Sequence, residues 1–125
     1  MTAVEVTVQG PPRLLTSNLR LHWATRALLT RQWREAAHWS AKAARLPRGL
    51  DRVHIVAVVH PAKGGRLRDV GNVSVKAVID GLVDYGLIPD DDDAHLVGPD
   101  LRRGPNLLVP TPSLRLRIEP LDGAA

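Results

Sequence analysis

Apolar and polar positions alternate at residues 4–8, where Val4, Val6 and Val8 enclose Glu5 and Thr7. A period of two in β-branched residues predicts a strand, and Gly10-Pro11-Pro12 ends it in a rigid turn. The period then lengthens. From about His22 to Ala44, Leu29, Trp33, Ala36, Ala37 and Ala44 recur at helical spacing, with Ser40 completing the row. Arg26, Arg31, Arg34, Lys42 and Arg45 flank this stripe, and Thr16-Ser17-Asn18 supplies candidate caps upstream. Trp23, Trp33 and Trp39 read as helix packing, since base stacking would require exposed rings beside arginines.

Pro47 and Gly49 break that helix, and Arg52 to His60 follows as a strand. Val53, Ile55, Ala57 and Val59 line its buried face; His54, Val56, Val58 and His60 line a half-buried one, with the histidines as surface groups rather than ligands. Residues 61–68 form a mobile basic loop around Gly64-Gly65. A second helix is expected from about Val73 to Tyr85, with Val75, Val78, Ile79, Leu82 and Val83 on one face. Asn72 or Ser74 would cap its start, and Gly86-Leu87 suits a left-handed ending. His95-Leu96-Val97 predicts a short strand ended by Gly98-Pro99, and Arg102-Arg103-Gly104-Pro105 a basic turn. Ser113 to Ile118 predicts a last strand with Arg115 and Arg117 on one face. The fold class is α+β: one small domain with a core at about residues 4–118, a mixed sheet of about four or five strands, and two main helices. Residues 119–125 are expected to fray.

Composition narrows the function classes. The 125 residues hold no Cys, which excludes thiolate metal sites and cysteine nucleophiles and fits a cytoplasmic protein. No stretch has the roughly 18 apolar residues of a membrane span, and the N-terminus lacks the order of a signal peptide, so no membrane role is expected. With three Trp, one Tyr and no Phe, the core must be aliphatic.

Charge changes the picture more. Residues 1–68 carry 12 Lys and Arg against 3 Asp and Glu, whereas residues 69–125 carry 5 against 10. A basic surface beside an acidic focus suits a phosphodiester enzyme, in which cations hold the polyanion and acids hold a metal. The acids cluster at Asp69, Asp80 and the run Asp90-Asp91-Asp92-Asp93. Four adjacent carboxylates after a helix C-terminus are electrostatically unfavourable, so packing alone does not account for them. Hard divalent cations take oxygen ligands of this kind, and Mg²⁺ needs only one or two carboxylates with water and phosphate oxygens. Lys63, Arg66 and Arg68 in the glycine loop, with Arg102 and Arg103, are candidate DNA-backbone contacts. Lys76 and Asp80, four apart, also fit an ordinary exposed helical ion pair.

Arg68-Asp69-x-x-Asn72, Lys76, Asp80-Gly81-Leu82, Gly86 and Asp90-Asp91 resemble the pattern of RusA-type Holliday-junction resolvases. Pro11-Pro12, Asn18-x-Arg20-Leu21-His22-Trp23 and Trp33-Arg34 resemble its opening, so the likeness covers residues 11–118. It implies a bacterial or phage-encoded, nucleoid-associated homodimer that binds four-way DNA junctions and cuts them symmetrically with Mg²⁺ or Mn²⁺, in recombination and repair. By position, the resemblance makes Asp69 and Asp91 catalytic metal ligands, with Asp90 beside them, and Lys76 the supporting lysine. One departure matters: the family's Asp-x-Asp-Asn reads Asp69-Val70-Gly71-Asn72 here. Either Asn72, Asp80, Asp92 or His95 completes the site, or metal binds weakly. A catalytically weak or inactive junction-binding protein of the same fold is therefore the alternative. An unrelated interaction domain with a solvated acidic loop is the third reading.

Overall fold

The computed structural model describes residues 2–17 and 20–121. Its elements run β1 (Val4–Gln9), α1 (Trp23–Ala43), β2 (Arg52–His60), a 3₁₀ turn (Val70–Asn72), α2 (Lys76–Tyr85), β3 (Leu96–Arg103) and β4 (Ser113–Leu121). The strands form one mixed sheet in the order β1-β4-β2-β3, with β2 and β3 parallel and the other pairs antiparallel. This is the expected α+β domain. Asn18 and residues 122–125, for which a cap and a frayed tail are expected, lie outside the described residues.

Alternation along the strands fixes which face is buried. Val8, Leu114 and Val59 sit side by side across β1, β4 and β2, and Val6, Leu116 and Ala57 form the next row. All six are buried and join one core with both helices. The opposite face carries Glu5, Thr7, Arg115, Arg117, His54 and His60 and, among the described residues, no covering element. β4 runs on to Leu121, paired with Arg52, so residues 119–121 belong to the sheet rather than to a tail. β3 also runs further than its sequence indicates. Gly98 and the cis-linked Pro99 lie between partners Val97↔His54 and Asp100↔Val56, so the Gly-Pro pair is absorbed as a bulge instead of ending the strand. Arg102 and Arg103 accordingly lie in β3, not in a turn.

The helices depart from expectation at their ends for local reasons. α1 buries Leu29, Trp33, Ala37 and Ala41 at a strict spacing of four, so its seam drifts to Ala41 and leaves Ala44 exposed. Its cap is His22, whose Nδ1 accepts the Ala24 amide at 3.2 Å. Of the tryptophans only Trp33 packs; Trp23 and Trp39 are 77% and 60% exposed, contrary to the packing expectation. α2 begins at Lys76 rather than Val73 because the preceding residues pair elsewhere. Ser17 donates to the Asn72 carbonyl at 2.9 Å, Ser74 donates to the Leu15 carbonyl at 2.7 Å, and Thr16 bridges Val73. Neither Asn72 nor Ser74 therefore caps the helix; Val75 precedes it with no side-chain cap. Gly86 ends it left-handed at φ 99°, and the Leu87 amide reaches back to Leu82. No helix among the described residues is long and apolar enough to cross a membrane.

α1 and α2 cross at Gly81. A Cβ there would stand 2.2 Å from the Arg34 carbonyl oxygen and 2.8 Å from the Ala37 Cβ. Backbone cannot yield as a side-chain tip does, so a methyl group must push the helices apart. Gly81→Ala should cost about 1–3 kcal/mol, the usual price of overpacking, although alanine is the better helix former. Urea melts check this: an unchanged or higher midpoint would mean the helices are not packed this closely.

Candidate functional site

The residues singled out by the resemblance fall into two groups around the start of α2. In the first, Lys76 occupies the first turn and its Nζ donates to Asp80 Oδ1 at 3.0 Å, one turn along the helix. The same ammonium donates to Asp91 Oδ2 through a very short hydrogen bond. Asp91 arrives there because Gly86 turns the chain back, and Asp90 Oδ1 accepts the Asp91 amide at 2.8 Å. Lys76 and Asp80 are thus more than a simple helical pair. Asp80 also lies 4.0 Å from Arg34 of α1, whose Nε and Nη2 grip Asp84 at 2.6 and 2.8 Å. The result is a file of alternating charge: Asp91, Lys76, Asp80, Arg34, Asp84.

The second group surrounds Asp69. Its Oδ1 accepts the Gly71 amide at 2.9 Å and so caps the 3₁₀ turn. Asp69 lines a cavity of about 190 Å³ with Thr16, Arg66, Leu67, Arg68 and Asn72. Thr16, Arg66 and Leu67 also line an adjoining cavity of about 330 Å³ bounded by Arg13, Pro12, Pro61 and Pro112. Together these make a groove walled by Arg13, Arg66 and Arg68 that leads to the Asp69 carboxylate. The glycine loop beside it is not left loose: Asn106 Nδ2 donates to the Ala62 and Gly65 carbonyls at 3.0 and 2.9 Å, and Lys63 N donates to Val109 O.

The structure brings Lys76, Asp80, Asp91 and Asp90 together, and Asp69 with Asn72, Arg66 and Arg68. No hydrogen bond or ion pair joins Asp69 to Asp91 among the described residues, and no group of three or more acidic or histidine side chains there converges as a metal site. Asp92 and His95 lie 3.9 Å apart, and His95 Nδ1 meets the Asp51 carbonyl oxygen at 2.7 Å, which directs both toward the β2 start. His54 is held by Asp100 at 2.6 Å. Of the other expected DNA contacts, Arg103 donates to the Leu67 carbonyl and supports the loop, Arg102 bonds the Leu101 carbonyl, and the Lys63 side chain is exposed outside the groove. Arg13, Arg34 and Asp84 received no site role from the sequence. Pro11-Pro12-Arg13 and the buried Trp33 beside Arg34 carried the only signal for the arginines.

A magnesium ion would find hard donors here, but in an open arrangement. Among the described residues only one Asp69 carboxylate oxygen has a hydrogen-bond partner, and Asn72 and Thr16 line the same cavity. A Cβ at residue 71 would stand 3.2 Å from Asp69 Oδ1, so a carboxylate at that position would adjoin Asp69. The oxygens present fit a hard cation held largely by water and phosphate, not a closed protein cage. Neither models of known protein families nor curated protein sequences match the chain.

Electrostatics follow the contacts. Lys76 holds the Asp91 carboxyl below its ordinary range, while Asp91 first and Asp80 second raise the Lys76 ammonium. Arg34 likewise depresses Asp84. A depressed carboxyl stabilises the fold above its ordinary pKa, and that share is lost as pH falls through the folded value; the raised Lys76 loses its share only in strong alkali. Lys76→Met should therefore reduce the stability that is lost as pH falls through and below the ordinary carboxylate range. Thermal melts of both proteins across that window test it, and parallel curves would mean the Lys76–Asp91 pair contributes nothing in solution.

Proposed function

We propose that the protein is a metal-dependent, structure-selective endodeoxyribonuclease of the RusA type that resolves four-way DNA junctions as a homodimer. The observation that supports it most is the meeting of Lys76, Asp80 and Asp91. These residues come from both ends of α2, and the RusA-like pattern contains all of them. The arginine groove adds a path for a phosphate backbone to the Asp69 carboxylate.

Each residue then has a chemical task. Arg13, Arg66 and Arg68 bind successive phosphates and orient one strand toward Asp69. Asp69 with Asn72, and Asp91 with Asp90, are the residues that would hold Mg²⁺ or Mn²⁺. A bound ion there would supply a water of lowered pKa and positive charge for the leaving oxygen. Lys76 bonds Asp91 and partly screens the acidic run. With a phosphate present, its ammonium is placed to share charge with the phosphoryl oxygens and to stabilise the extra negative charge of the transition state. A two-fold dimer sets two such sites against opposite strands of the junction.

A second reading, a junction-binding protein with little cutting activity, is favoured by Gly71, where hydrogen stands in place of a carboxylate next to Asp69.

Incubation with a labelled four-way junction and Mg²⁺ should give paired symmetric nicks that an equal-length duplex does not receive. Asp91→Asn should abolish cutting and keep junction binding, and Lys76→Ala should slow it by about 10²–10³. Full cutting by Asp91→Asn would overturn the assignment. Gly71→Asp separates the two readings: a large gain in rate marks a site weakened by glycine, whereas an unchanged rate marks one complete without that carboxylate.

A further inference from the structure

The exposed face of α1 carries an aromatic ring where the packing of a helix gives no reason for one. Trp23 is 77% exposed, and with Arg26, Ala27, Thr30, Arg31 and Arg34 it lines a shallow recess of about 520 Å³. These residues sit at spacings of three and four, so they form one stripe along the helix. His22 backs the indole, with ring centroids 5.5 Å apart and planes tilted by 34°. The cations along the stripe differ in their commitments. Arg34 is bound to Asp84, Arg31 lies 3.9 Å from the exposed Glu35, and Arg26 forms no ion pair among the described residues. The recess is therefore aromatic at one end and cationic along its length. At its far end Arg34 approaches Asp80, which shares Lys76 with Asp91.

We propose that this stripe is a platform for an unpaired segment of DNA, with a base stacked on Trp23 and the adjoining phosphates held by Arg26 and Arg31. The reading rests on the nuclease proposal and adds how the branched part of the substrate is recognised. An exposed ring beside arginines is the pairing that single-strand binding uses: the ring accepts any base, and the guanidinium groups track the backbone. A paired duplex hides its base faces, so only unpaired or opened nucleotides can use the ring. The duplex arms engage the separate groove at Arg13, Arg66 and Arg68 through phosphate alone. The division of labour gives selectivity for branched over linear DNA without reading sequence.

The test uses the full chain and three fluorescently labelled probes: a short oligothymidylate, a duplex of equal length, and a four-way junction. Trp23→Ala should weaken oligothymidylate and junction binding about tenfold and leave duplex binding within about twofold, and Trp23→Phe should recover most of the loss. Arg26→Ala should lower the salt dependence of oligothymidylate binding by about one ion. In a Trp39→Phe background, the remaining exposed indole should be quenched on adding oligothymidylate. Wild-type affinity in Trp23→Ala, or no quenching, overturns the platform while the nuclease proposal stands on its own cleavage assay. A wild-type protein that binds none of the probes overturns both. If Trp23→Ala changes the oligomeric state in light scattering but not the DNA affinities, the stripe contacts a second copy of the chain, and the platform is again overturned.

Discussion

The close crossing of α1 and α2 at Gly81 is the constraint on which the rest depends. With no side chain at that point, the second helix lies against the Arg34 carbonyl and the Ala37 methyl of the first. The approach does two things at once. It buries Leu82, Val78 and Trp33 in a common core, and it turns Arg34 toward Asp80 and Asp84 on the neighbouring helix. A single substitution at Gly81 would therefore disturb packing and charge arrangement together. The Asp80-Gly81-Leu82 triplet joins the two requirements in adjacent residues: an acid facing the site, a gap facing α1 and a fully buried leucine.

The acidic run after α2 presents the opposite problem. Carboxylates near a helix C-terminus face the negative end of its dipole, and adjacent ones repel each other. Part of this is relieved by Lys76, which sits at the other end of the same short helix and reaches Asp91 because the chain folds back at Gly86. The alternating file from Asp91 to Asp84 spreads the charge further. Exposed pairs of this kind contribute little individually to stability, so their arrangement bears more on what can bind than on whether the chain folds.

The strands and helices were legible in the sequence because period two and period four report directly on one buried face. Val53, Ile55, Ala57 and Val59 are all fully buried, as their alternation predicts. The misreadings arose where a long-range partner overrode local preference. Ser74 is a good cap by type, yet its backbone pairs with Leu15 and the helix starts later, after Val75; Gly98-Pro99 is a good terminator by type, yet it fits as a bulge beside Ile55. Trp23 and Trp39 depart from the packing that large apolar residues on a helix predict, because both lie off the buried stripe of α1. The arrangement of the candidate residues was legible only in part. The RusA resemblance named Lys76, Asp80 and Asp91, which the structure brings together, but nothing local could show that Asp69 faces a separate arginine groove, or that Arg34, over forty positions before Asp80, closes the charge file.

The lopsided charge of the chain acquires a spatial meaning from these contacts. The basic part, residues 1–68, supplies Arg13, Arg66 and Arg68 to one groove and Arg26, Arg31 and Arg34 to the stripe on α1. The acidic part supplies Asp69 at the end of that groove, and Asp80 and Asp84 at the end of that stripe. Each cationic track thus terminates on carboxylates, instead of the two signs mixing evenly over the surface. On the proposed reading, a strand drawn along either track meets carboxylates at its end, and the repulsion there opposes the attraction along the arginines. That arrangement costs affinity unless the acids are neutralised. Lys76 neutralises Asp80 and Asp91 in part, and on the proposed reading a divalent cation would complete it, which would make binding of DNA and binding of metal mutually supporting.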